Sequence, residues 1–156
     1  MEKIENQIRD TYYKAYKDAL EKELNEDKFE WVCKLHAEIV CRLCLLIPNR
    51  KDLHDHIAES MDPVIFKQML ESKTYRPEDF TKLVHYVFGW IKNLCAPIRD
   101  PEVIESLSVL HKMMENRATL GKLVPEFVFS VHKHLDQIDE DLKNDDSKNL
   151  KTLLKK

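Results

Sequence analysis

Glycine is nearly missing from this chain, with two residues in 156. That scarcity excludes glycine-rich phosphate loops and leaves little for the tight turns of β-hairpins. Long uncharged apolar runs are missing too; none approaches the roughly 20 residues that span a bilayer. The opening MEKIENQIRD is charged and has no apolar core of the kind a signal peptide carries. A basic surplus is also lacking: the net charge is −3 and the pI about 6.2, which argues against nucleic acid as a partner. Four cysteines without a secretory signal point to free thiols in a reducing compartment. A cytoplasmic protein without membrane insertion is expected.

What the chain does have is charge, 34% of its residues, and apolar side chains at helical spacing. Its length suits one domain with a real core. Proline-marked turns and short connections predict an all-α, antiparallel bundle of about six to seven helices over residues 1–144. The charged tail, 145–156, is expected to be disordered, with Leu150, Leu153 and Leu154 offering one weak apolar turn.

The bundle is expected to form around a central helix at about 77–95. Between Phe80 and Cys95 the only charged side chains are Lys82 and Lys92. On a helical wheel Lys82, His85, Gly89, Lys92, Asn93 and Ala96 share one narrow polar stripe. Phe80, Leu83, Val84, Val87, Trp90, Ile91, Leu94 and Cys95 fill the rest, with Tyr86 and Phe88 on the borders. Pro77-Glu-Asp79 opens this helix and Pro97 closes it.

Around it the other helices read in order. The first, 2–24, shows Ile4, Ile8, Tyr12, Ala15 or Tyr16, and Ala19 on one face. The second, from about Lys28 to Ile47, carries Trp31, Leu35, Ile39, Leu43 and Leu46. Asn49 with Asp52 resembles a capping box for a third, short helix with Leu53, Ile57 and Met61 inside. Asp62-Pro63 starts a fourth, with Ile65, Phe66, Met69 and Leu70, that ends near Ser72. Asp100-Pro101 starts a sixth with Val103, Leu107, Leu110 and Met114, supported by Ile104, and Asp100 as its cap. A connection over Arg117–Lys122 leads to a seventh with Phe127, Val128, Val131, Leu135, Ile138 and Leu142, in which Pro125 lies in the first turn or makes a kink.

Several clusters suggest chemistry and fail on geometry. Cys33, His36, Cys41 and Cys44 have zinc-ligand chemistry, but an unbroken helix would set Cys33 and Cys44 about 16 Å apart along its axis. His36-Ala-Glu38 before Cys41-x-x-Cys44 lacks the proline and the spacing of a zinc deaminase. His54-x-His56 and His132-x-His134 place their rings on opposite sides of a helix and read as surface or boundary histidines. The six acids between Asp136 and Asp146 lack the glycine and terminal glutamate of a calcium loop and read as a solvated face. No catalytic residue, metal or cofactor is expected. Gly89 costs about 1 kcal/mol inside a helix; either another helix packs closely across it or a partner approaches there.

The segment Ile91-Lys-Asn-Leu-Cys-Ala-Pro-Ile-Arg-Asp-Pro-Glu-Val103 resembles the signature of the T-complex protein 11 family, Leu-Cys-Ala-Pro-x-Arg-Asp-x-Glu-Val. Weaker likeness at Tyr13–Leu24, Leu35–Pro48 and Asp62–Leu70 extends the resemblance over roughly 8–142, the N-terminal part of the family domain. The resemblance implies a non-enzymatic helical protein tied to cyclic-AMP and protein kinase A signalling and, in animals, to sperm and the flagellum.

Residues and resemblance together point to an interaction or scaffold module that binds another protein, a signalling or flagellar component, through a helical groove. His85, Tyr86, Gly89, Trp90, Lys92, Arg99 and Asp100 are the candidate binding residues. Arg99 also has a plain reading as the partner of a nearby carboxylate. The rival readings are a homo-oligomer formed through Ile4, Ile8 and Tyr12, and an enzyme using Cys95 or a histidine.

Overall fold

Proline and acid at the helix starts decide where this chain turns. A computed structural model describes residues 2–144. Among them are seven α-helices: α1 (Glu2–Asn25), α2 (Glu30–Leu45), α3 (Lys51–Ser60), α4 (Pro63–Glu71), α5 (Pro77–Leu94), α6 (Asp100–Glu115) and α7 (Leu120–Asn144). One 3-10 turn, Pro97–Arg99, joins α5 to α6. The architecture is all-α, as the spacing predicts. The expected tail at 145–156, with Leu150, Leu153 and Leu154, lies outside the described residues.

The start signals work unequally. Asp62 caps α4, its carboxylate accepting from the backbone N–H of Val64 at 2.9 Å and Ile65 at 3.4 Å. Asp79 closes the first turn of α5 by accepting from the Arg76 N–H at 3.0 Å. Two expected caps do not form. Arg50, not Asn49, precedes α3, and Asp52 accepts from the Arg50 guanidinium instead. Asp100 is already helical, because the 3-10 turn delivers the chain in helical geometry, and its carboxylate accepts from the Cys95 thiol at 3.2 Å. The seventh helix begins at Leu120, so the connection ends at Thr119, earlier than expected, and Pro125 lies inside the helix.

Helix ends use a device that glycine most often supplies. Asp27, Lys73 and Arg117 adopt left-handed φ near 58°. Each follows a helix and closes it with paired backbone bonds, such as Thr74 N–H to Met69 O at 2.9 Å and Lys73 N–H to Leu70 O at 3.2 Å.

Two apolar helices lie side by side at the centre. Val84, Val87 and Ile91 of α5 and Val131 and Leu135 of α7 are fully buried, and Phe80 meets Phe127 edge-on at 5.5 Å. The α7 helix also touches α1, α2 and α6. The polar stripe of α5 stays outside, with Lys82, His85, Gly89, Lys92 and Asn93 exposed, while Ala96 turns into the core. Ile65 and Ile104, expected with the core, are exposed.

Of the α1 face that periodicity selects, only Tyr16, the alternative to Ala15, packs inward. Ile4, Ile8 and Tyr12 are 60%, 65% and 61% exposed, and Ala15 and Ala19 are open too. The inner face is Tyr13, Tyr16, Leu20 and Leu24, with Tyr16 edge-on to Phe129 at 4.6 Å and to Trp31 at 4.7 Å. Ion pairs Lys17–Glu126 at 3.0 Å and Glu21–Lys122 at 3.4 Å fix α1 antiparallel to α7. Gly121 admits the close approach at the end of α1: a Cβ there would stand 2.6 Å from Asn25 Oδ1.

Candidate functional site

The short helices α3 and α4 cannot bury all their apolar side chains against α2, and the surplus lines a groove against α5. This open groove has a volume of about 300 Å³. Met61, Ile65, Phe66 and Met69 form one wall; Lys82, Leu83 and Tyr86 of α5 form the other. Its base is His36, whose ring stacks on Phe66 with centroids 4.1 Å apart and planes at 9°. His36 Nε2–H donates to the Met61 carbonyl at 2.8 Å. Burial lowers the His36 pKa, against the opposing pull of the Met61 carbonyl and Asp62, so this ring is held as a neutral structural post. Tyr75 meets Phe66 edge-on at 5.4 Å. Burial, reinforced by the Asp79 charge, pushes its phenol pKa well up. The groove thus has an apolar floor and a rim on which Glu59, Asp62 and Asp79 stand against Lys82.

The seven sequence-derived residues do not form one site. Tyr86 belongs to the groove and shares a 2.8 Å hydrogen bond with His56 Nδ1. His85 lies beside the groove and not in its lining, and it meets His111 of α6, with 3.2 Å between the two Nε2 atoms. Trp90 is half-buried against the core, and Lys92 is exposed. Gly89 is exposed, and no described residue beyond its own helix comes within 4 Å of where a Cβ would stand. Among the described residues no helix packs across it, so close packing within them does not explain the glycine. Arg99 has its plain reading: its guanidinium donates twice to Asp141 at 3.2 Å and lies 3.5 Å from Glu102. Asp100 holds the Cys95 thiol.

The groove's own wall was missed. Met61 is in the core as expected, 2% exposed, and also lines the groove; Met69 is half-buried and Ile65 open, both expected inside. The available signal was an excess: α4 has Val64, Ile65, Phe66, Met69 and Leu70 in nine residues, more than one face can bury.

The declined clusters are accounted for by local contacts. Cys33 and Cys44 are half-buried and Cys41 exposed along an unbroken α2, all as free thiols. His54 shares a 2.6 Å bond with the Ile47 carbonyl. His132 and His134 do point apart, to Arg42 and to Ser106, but His134 is a core residue, 2% exposed. The acidic stretch is not merely solvated: Arg42 of α2 donates to Asp136 at 2.8 Å and Asp139 at 2.9 Å, tying α2 to α7. Cys95, the thiol of the enzymatic reading, is 2% exposed. Among the described residues no three potential metal ligands converge, and no helix is long and apolar enough to cross a membrane.

Comparison with known proteins agrees with the signature at 91–103. The family model described as T-complex protein 11 matches residues 1–145. The human T-complex protein 11 homolog is 30% identical over 105 residues, covering 64% of this chain and 20% of the human protein. The chain therefore spans about a fifth of that relative's length. No solved structure matches. On the span of that match, this chain belongs to the T-complex protein 11 family.

Proposed function

We propose that the chain is a non-enzymatic interaction module that docks a helical segment of another protein in the groove between α4 and α5. The observation that carries this reading is the apolar wall left open there, with Ile65 52% exposed beside a long neighbouring helix. A groove of this kind takes an amphipathic helix by its apolar anchors at three- and four-residue spacing. Three carboxylates against one lysine on the rim favour a segment with flanking Lys or Arg. The setting we propose is the one the family resemblance implies, cyclic-AMP and protein kinase A signalling, with a flagellar partner in animal sperm.

The test is selection of a displayed library of helical peptides on the 156-residue chain. Binders should have apolar anchors with basic flanks, and Ile65→Glu should weaken them at least about ten-fold, or 1.4 kcal/mol, with its melting curve unchanged. Purified protein kinase A subunits, presented in the same format, test the setting. Peptides that bind Ile65→Glu as well as the parent chain would refute the groove.

A second reading is self-association through the exposed stripe of Ile4, Ile8 and Tyr12 on α1, supported by three large apolar side chains on one open face.

A further inference from the structure

Five of the seven histidines are engaged by other residue types. His36 and His54 bond backbone carbonyls, His56 bonds Tyr86, His132 bonds Arg42 and His134 bonds Ser106. His85 and His111 instead meet each other across α5 and α6. Each presents Nε2, the nitrogen farther from its backbone, at 3.2 Å from the other. Their ring centroids are 5.0 Å apart and their planes inclined at 31°. The His85 ring is at the surface and the His111 ring half-buried beside it.

Two arrangements bring imidazole nitrogens this close. One is a hydrogen bond between two neutral rings, which if collinear at this length would hold the centroids about 5.5 Å apart. The other is a shared metal ion. With metal–nitrogen bonds of about 2.0–2.1 Å, a tetrahedral ion sets two nitrogens about 3.3 Å apart and the centroids about 5.2 Å apart. The observed separations of 3.2 and 5.0 Å fit a bent hydrogen bond and a shared ion alike, so the two nitrogens already stand at chelating distance. Neutral imidazole is a preferred donor for zinc, copper and nickel.

We propose that His85 and His111 form a two-imidazole chelate for a divalent transition-metal ion, pinning α5 to α6. Among the described residues no third His, Cys, Asp or Glu completes a cluster, so water or a donor from an approaching molecule fills the remaining positions. One turn along, exposed Gly89 has no described residue beyond its own helix within 4 Å of where a Cβ would stand, which leaves room for such an approach. Neither histidine is among the residues that line the Tyr86 groove, and the existence of the site does not depend on that groove.

Titration of the 156-residue chain with nickel and zinc chlorides, followed by calorimetry and thermal melting, tests this. One ion per chain should bind and raise the melting temperature, because the ion favours the folded state that joins its ligands. His85→Ala and His111→Ala should each weaken binding at least ten-fold and abolish the thermal shift. Cys41→Ala, which removes an exposed competing thiol, should leave both unchanged. Melting curves without metal show whether the two histidine variants fold. No saturable binding up to about 1 mM metal, or binding that survives either histidine substitution, overturns the chelate. Loss in only one variant would mean a single imidazole ligand and overturns it equally.

Discussion

Asp27, Lys73 and Arg117 sit with φ of 58°, 59° and 57° at the ends of α1, α4 and α6. An L-residue with a Cβ pays roughly 1–2 kcal/mol for that geometry, which glycine avoids. The paired backbone bonds at each end offset the strain. Gly89 shows the reverse mismatch, a flexible residue inside α5 with open space where a methyl would go. Both kinds of position therefore have room for improvement. Arg117→Gly and Gly89→Ala should each raise unfolding stability by about 1 kcal/mol, read as a higher urea midpoint with an unchanged slope. A destabilised Gly89→Ala would mean that the helix needs glycine for a reason absent from its surroundings here.

At the scale of the element, α1 separates what pattern can and cannot tell. Both of its apolar stripes have helical period, so periodicity announced the helix and could not choose the inner face. The choice falls to partners far along the chain: Phe129 of α7 accepts the Tyr13 and Tyr16 rings, and Leu20 closes the core. The central helix was legible because one stripe was polar and the rest apolar, and proline-acid starts placed α4 and α5. The candidate site was legible only in part. Tyr86 lines the groove, but His85 needed His111, and Arg99 needed Asp141, each on another helix. The unclaimed stripe has its own test. Ile8→Glu should leave the melting temperature within about 0.5 kcal/mol equivalent of the parent. If the stripe joins two copies, light scattering at high concentration should give a dimer for the parent and a monomer for the variant. A monomeric parent would dismiss the self-association reading.

For the whole molecule, buried histidines couple stability to pH. Burial lowers the pKa of His36, His132 and His134. For His36 the Met61 carbonyl and Asp62 act against burial. For His132 Glu38 and Asp136 act against it, and Arg42 with it. For His134 Gln137 and Glu102 act against it, and Lys133 and Arg99 with it. Because these groups take up protons less readily folded than unfolded, their contribution is complete above about pH 6.5. It is lost as pH falls through their lower folded values, where the unfolded chain binds more protons. The urea midpoint should therefore decline from pH 7 to pH 5. His134→Asn, which cannot charge, should start lower for want of its 2.8 Å bond with Ser106 and decline less steeply. A flat profile in the parent chain would contradict the burial of these rings.

The pairing of α1 with α7 also bears on how the molecule is made. Lys17 meets Glu126 across a sequence separation of 109 residues, and Tyr16 rests on Phe129. During synthesis α1 leaves the ribosome long before the helix it rests on exists. Until α7 follows, Leu20 and the tyrosine face have no floor, and α2, α5 and α6 lack the helix they all touch. Closure of such distant contacts comes late and is slow relative to local helix formation. A nascent chain halted before Leu120 should therefore remain protease-sensitive however many of its helices have formed, and protection should arrive in one step with α7.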